Sequence, residues 1–409
     1  MRKDFVPTLG RWRSGALVCM VGLAAMVFAA GKAAGATQQS DASQAARVEP
    51  ADADPDSADG SLAGTESTPD SDPLAALAPY ERHVEVEGLI RNYGFGLGGV
   101  LEKWQAGFKA LHPKATFSNN LITSDAAFPA LVTGVTDLGP NGGEPAITEA
   151  LSFFETHGYH ASYVVVATGA FDVKSRSNGP VVFVNKDNPI SKLTIDQLDG
   201  IFGSARKGGL RGFEWTPALG RDAGKDIRTW GDLGLSGEWA DKPIQTYGHA
   251  PSGTTRFFQL HVLGNTDKWN PNYHGYVETG SKMIAPEDSE QRLGIQHMLR
   301  KELVQDRYGI AWTIMSQAQG VDGIKPLALA PRGSDKYVGP SKRSFQDRTY
   351  PLARNIYIYY DRKPGTPMDP RLREFLRYAL SKEGQSLVSQ GDYLPLPPHM
   401  IKEQLSKLE

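Results

Sequence analysis

Neither Ser162-Tyr163-Val164-Val165-Val166-Ala167 nor Gly179-Pro180-Val181-Val182-Phe183-Val184 offers water a polar face. A strand that is apolar on both faces must be covered on both, and helices are what usually cover it. The chain supplies them in alternation. Residues 83–90 alternate as a strand, and Leu101, Trp104, Phe108 and Leu111 then fall on one helical face. Residues 114–118 read as a strand, 128–132 as a short helix and 136–139 as a short strand. Thr194-Ile195-Asp196-Gln197 is a capping box that opens a helix through Leu198 and Phe202. Ile295, Leu299 and Leu303 mark a further helix, while 308–312 and 355–360 are strand-like. Asp369 and Pro370 open a last helix with Leu372, Phe375, Leu376 and Ala379 inward. This order predicts an α/β fold with largely parallel sheets. No internal repeat is visible.

The ends of the chain set the compartment. Arg2, Lys3, Arg11 and Arg13 precede an apolar run from Gly15 to Ala30, and Ala34-Gly35-Ala36 follows. That is the pattern of an export signal over 1–36, cleaved after its small residues. The run is short for a membrane span. Cys19, the only cysteine of the 409 residues, lies inside it behind Val18, where a lipoprotein signal would want a small residue. A mature chain without cysteine excludes disulfides and thiol catalysis. Residues 37–79 are rich in Ala, Asp, Ser, Pro and Gly and hold no aromatic residue. They bury too little apolar surface to offset ordering entropy, so a disordered acidic linker is expected. The 44 basic and 46 acidic residues leave a formal charge of −2, which argues against a broad nucleic-acid surface.

Two segments carry chemistry. Ser252-Gly253-Thr254-Thr255-Arg256 follows the turn signal Gly248-His249-Ala250-Pro251 and precedes an apolar run. A hydroxyl residue at that point caps a helix. The same helix start presents unpaired N–H groups, the positive dipole end and an arginine, which suits a small tetrahedral anion. Taken alone, the segment is first of all a cap. Gly94-Phe95-Gly96-Leu97-Gly98-Gly99 matches G-x-G-x-x-G between a strand and a helix. A dinucleotide would want an acidic residue at the end of the next strand, which instead ends Ser118-Asn119-Asn120. The loop is therefore read as a second set of backbone donors for an anion rather than a cofactor site, and no cofactor is expected. His157 and His160 stand at helical spacing without a third metal ligand, so no metal is expected. His249 and Ser252 resemble a base and nucleophile, but lack an orienting acid and a Gly-x-Ser-x-Gly elbow.

In order along the chain, several segments resemble the periplasmic phosphate-binding proteins of ABC transporters. They are residues 89–104, Asp137-Leu138-Gly139-Pro140-Asn141-Gly142, residues 181–202, Thr229-Trp230-Gly231-Asp232-Leu233, residues 243–255, Gly309-Ile310-Ala311-Trp312 and Tyr350-Pro351-Leu352. The resemblance covers most of the chain beyond Glu81. It implies a two-lobed periplasmic-binding-protein fold of type 2, with a ligand cleft between lobes that close by a hinge. Lobe I would comprise 80–180 and 326–409, and lobe II 181–325. The implied ligand residues are Gly94, Phe95 and Gly96, with Ser124, Asn141, Ser252, Gly253 and Thr254. The family's arginine before Ser-Gly-Thr is absent here, and Arg256 or His249 would replace it, beside Thr255. The family's proton-accepting aspartate falls on Gly142, leaving Asp125, Asp137 or Glu144 as stand-ins. Such an acceptor favours protonated phosphate over fully ionised sulfate. The expectation is an exported monomeric protein, without enzymatic activity, that captures phosphate or a similar oxyanion. Delivery to a membrane ABC permease is implied by the family alone. An exported phosphate-acting hydrolase and a surface interaction protein reusing the fold are the alternatives.

Overall fold

The computed structural model describes residues 74–278 and 294–409. The expected leader over 1–36 and the linker over 37–73 lie outside them. The last residues assigned to the linker differ from expectation: Leu74 and Leu77 form a turn, Leu77 N–H donating to the Leu74 carbonyl at 3.2 Å, and Leu77 is buried. Two apolar anchors three residues apart suffice to dock this stretch on the first core.

Two hydrophobic cores organise the chain. The first gathers residues between Leu77 and Ala170 and again from Ile356 to Leu408. The second gathers residues from Val181 to Ala353, with Leu394. The chain crosses between them twice, and the second crossing comes later than the sequence suggests. Leu327, Leu329, Phe345, Tyr350 and Leu352, assigned to lobe I from sequence, pack in the second core. Their strands explain why: Ile324–Pro326 pairs with Pro180–Asn185, and Ala328–Ala330 pairs with Lys192–Thr194.

Pairing is mixed rather than largely parallel. In the first lobe Gly88–Tyr93 and Ala115–Asn120 are parallel, but Asn355–Tyr360 runs antiparallel between Gly139–Asn141 and Ser162–Thr168. In the second lobe Tyr273–Tyr276, Gln245–His249 and Gly309–Ile314 are parallel, and Pro180–Asn185 opposes them. The two strands that reverse the pattern are the two that follow the crossings. The doubly apolar runs are buried as their composition requires, Val181, Val182 and Val184 at 0% exposure.

Local signals form the predicted ends. Thr194 Oγ1 accepts the Gln197 amide at 3.1 Å while Gln197 Oε1 accepts the Thr194 amide at 2.9 Å, closing the capping box of helix Ile195–Phe202. Asp369 Oδ1 accepts the Arg371 amide at 2.8 Å at the start of helix Pro370–Leu380. In helix Val100–Leu111, Leu101, Trp104 and Phe108 are buried, whereas Leu111 at its end is not. Among the described residues no helix is long and apolar enough to cross a membrane.

Candidate functional site

A cleft of about 380 Å³ lies where the two lobes meet. The first lobe contributes Phe95, Ser124, Asp125, Asn141 and Glu144; the second contributes Gly253, Thr254, Arg256 and Glu278; the crossings contribute Ser177, Asn178 and Arg354.

The 252–256 turn is a helix start. Ser252 caps helix Gly253–Val262, its Oγ accepting the Thr255 amide at 3.2 Å and lying 3.1 Å from Thr255 Oγ1. The Thr255 hydroxyl donates to the Ala250 carbonyl at 2.6 Å, so Ser252 and Thr255 are occupied in shaping the turn. The amides of Gly253 and Thr254 make no hydrogen bond among the described residues and stand at the mouth of the cleft. Arg256 follows one turn on, about one-third exposed, with Nη2 3.9 Å from Asp125 Oδ1 across the cleft.

The glycine loop differs from expectation. Gly94 N–H donates to the Asn120 carbonyl at 3.0 Å and Phe95 N–H to the Pro140 carbonyl at 2.8 Å. Those donors are consumed in joining three loops, so they do not face an anion. Gly94 is needed because a Cβ there would collide with the Pro140 carbonyl, and its φ of +151° is one that glycine tolerates. The Phe95 side chain lines the cleft, whereas neither Gly94 nor Gly96 does.

Asn141 and Ser124 lock the adjoining loop. Asn141 Nδ2 donates to the Ser124 carbonyl at 3.3 Å, Asn141 Oδ1 accepts the Gly143 amide at 3.2 Å, and Ser124 Oγ accepts the Gly142 amide at 3.1 Å. Glycine at 142 now has a reason: a Cβ there would strike the Ser177 hydroxyl, and one at Gly143 would strike Arg354 Nη2. Of the candidate stand-ins, Asp137 is outside the cleft, held by Arg91 at 2.7 and 3.1 Å. Asp125 and Glu144 are in it.

His249 is displaced from the site. It is fully buried, stacked on Trp312 at 4.8 Å, with Nε2 2.9 Å from Thr313 Oγ1 and Nδ1 3.9 Å from Glu278 Oε2. Burial pushes its pKa down to about 3. Unfolded, it would protonate below about 6.5, while the folded site refuses the proton until far lower pH. Stability is therefore complete above that value and is lost as pH falls. By pH ~4.5 the loss from this residue is roughly 2–3 kcal/mol. Urea titrations at pH 7 and pH 4.5 should show that difference shrinking by about this amount in His249→Gln; an unchanged difference would refute a neutral buried imidazole.

Arg354 was not singled out by the sequence. It falls between Ala353 of the second core and Ile356 of the first, and is 8% exposed. Its carbonyl accepts the Gly169 amide at 2.7 Å and Arg348 Nη1 at 3.0 Å. Its Nη2 reaches the Gly253 carbonyl at 3.4 Å, Cζ lies 5.3 Å from the Phe257 ring centre, and Nε has no hydrogen-bond partner among the described residues. Burial lowers its pKa and neighbouring Glu144 opposes that shift, but a guanidinium remains charged at neutral pH.

Three carboxyls share the cleft with it. Glu144 accepts the Tyr357 hydroxyl at 2.8 Å and lies 3.8 Å from His261 Nε2. Burial would raise its pKa, but His261 and then Arg354 outweigh it and hold the carboxyl below the usual range. Glu278, also missed from sequence, is pushed up by burial, which Arg354 partly opposes. A cleft with buried guanidinium, free helix-start amides and carboxyl acceptors suits an oxyanion that still carries a proton.

Two lobes of opposed strands with such a cleft between them define a solute-binding domain. A family model described as a PBP superfamily domain matches residues 97–383, and the chain belongs to that superfamily and, within it, to the family of the phosphate-binding protein PstS. It is 31% identical over 335 residues to phosphate-binding protein PstS of Pseudomonas aeruginosa, covering 81% of this chain and 91% of that protein. The phosphate-binding protein PstS of Staphylococcus saprophyticus is 24% identical over 326 residues, covering 79% of this chain and 85% of that protein. The crystal structure of PstS from Borrelia burgdorferi aligns with a TM-score of 0.47 at 13% identity, covering 76% of this chain and 99% of that one.

Proposed function

We propose that this protein is an exported solute-binding protein that captures phosphate in the inter-lobe cleft, without covalent chemistry, for uptake by a membrane ABC permease. The observation that carries the reading is Arg354. A buried guanidinium that lines the same cleft as Gly253 and Thr254, its Nε without a hydrogen-bond partner among the described residues, is set up for charge-assisted bonds to an oxyanion. Ser124, Asn141, Gly253, Thr254 and Arg256 complete the proposed site, with Ser252 and Thr255 supporting it from behind. Lobe I is proposed to end near 170 and resume at 356, and residues 171–180 and 353–355 to form the hinge. The name of the Pseudomonas relative, phosphate-binding protein PstS, supports phosphate as the anion.

The carboxyls favour phosphate over sulfate. Glu144 and Glu278 can accept a hydrogen bond from protonated phosphate, whereas fully ionised sulfate has no proton to offer and would be repelled. Calorimetry of the purified protein at pH 7 should show saturable binding of phosphate and arsenate, and sulfate weaker by at least a hundredfold. Absence of saturable phosphate binding would overturn the reading, and equal affinity for sulfate would overturn the role of the carboxyls.

A further inference from the structure

Residues 204–226 leave the second core as an excursion. Its centre is a hairpin, Gly209–Arg211 against Glu214–Thr216, whose turn places Gly212 at φ +56° and Phe213 at the tip. A phenylalanine at the tip of a surface hairpin should be exposed, yet Phe213 is half-buried. Its ring is covered by the other lobe. It meets Phe154 edge-on at 5.4 Å and stacks on His160 at 4.9 Å, and those two rings are themselves 5.0 Å apart.

The two sides of this contact are anchored in different cores. Phe154 belongs to helix Ile147–His157, whose Phe153 is buried in the first core. The hairpin's base is tied to the second: Arg206 makes two bonds to Asp199 at 2.6 and 2.7 Å, and Arg221 Nε bonds Asp199 at 3.1 Å, beneath helix Ile195–Phe202. None of the three rings lines the cleft. The contact therefore joins the lobes apart from the two crossings, from the ion pair Arg256–Asp125 and from the approach of His261 to Glu144.

We infer that the 209–216 hairpin is a clasp, with Phe213 a positioning residue that holds the lobes closed around a bound anion without touching it. Two aromatic contacts are of a size that shifts a two-state equilibrium by about tenfold. They form only when the lobes are together, so they act on the lifetime of the closed state. The step they govern is release, since capture begins from lobes already apart.

The inference rests on the anion-capture reading for its kinetic arm only. In Phe213→Ala, stopped-flow release of inorganic phosphate should quicken by about tenfold, with association unchanged within about twofold. Phe213→Tyr should restore slow release. Phe154→Ala should give part of the effect from the opposite side, because the His160 contact remains, and the double variant should release no faster than Phe213→Ala. Independently of any ligand, small-angle scattering should give Phe213→Ala a larger radius of gyration than the parent chain. Unchanged scattering, or additive effects of the two alanine variants on release, would overturn the clasp. Expanded scattering in a chain that binds no phosphate would uphold the clasp while removing the proposed ligand.

Discussion

Arg354→Gln is expected to weaken phosphate binding by about a hundredfold or more, roughly 3 kcal/mol, in calorimetry at pH 7. The guanidinium is buried, so its bonds to an oxyanion are made away from water and screened little by salt. Glutamine keeps polarity but is shorter, and it removes the charge and the fork. Arg354→Lys should fall between the two, because an ammonium retains the charge and loses the bidentate geometry. Arg256→Ala is the informative contrast. Arg256 is about one-third exposed and faces an exposed Asp125 at 3.9 Å, so its loss should cost tenfold or less. An unchanged dissociation constant in Arg354→Gln would remove Arg354 from the site. An Arg256 effect exceeding that of Arg354 would hand the principal role to the helix.

Asp199→Ala is expected to destabilise the protein by about 3–5 kcal/mol. Asp199 is 2% exposed and accepts three bonds from two guanidiniums that are themselves 4% and 6% exposed. Removing the carboxylate leaves the buried Arg206 without its carboxylate partner and Arg221 with Asp226 alone, while Arg332, 3.7 Å from Asp199, is partly exposed and keeps Asp196. For a lobe of this size the loss corresponds to a melting temperature lower by about 8–15 °C. Asp199→Asn should cost less, since the amide oxygen still accepts. Calorimetric melting of the three proteins decides it: a shift of less than ~3 °C in Asp199→Ala would show that the cluster relaxes to solvent.

Much of the fold was legible because its signals are local. The capping box at Thr194, Asp369 before Pro370 and the doubly apolar runs each need only a few residues to declare themselves. Strand direction was not, because Pro180–Asn185 and Asn355–Tyr360 take their sense from chain crossings that no short window contains. The site divides the same way. Ser252 was recognisable as a cap, and the cap delivers the Gly253 and Thr254 amides to the cleft. The glycine loop misled because a backbone N–H looks available in sequence until a partner is seen, here the Asn120 and Pro140 carbonyls. The missing aspartate at Gly142 was visible, but its reason was not. It lies in Ser177, brought beside 142 by the first crossing, as Arg354 is brought beside 143 by the second. Glu278 and Arg354 carry no motif around them, and only the tertiary fold gives them a role.

Arg354 also sits where the polypeptide passes from one body to the other. On the proposed hinge, that is the pivot, and a pivot keeps its place while the parts around it swing. That positive charge then holds its position at every degree of opening, like a mooring post that stays put as the gates move. An arriving anion would be tethered first at the axis and enclosed afterwards. Encounter would thus be governed by one fixed cation and by ionic strength, and dwell time by whatever draws the two bodies together.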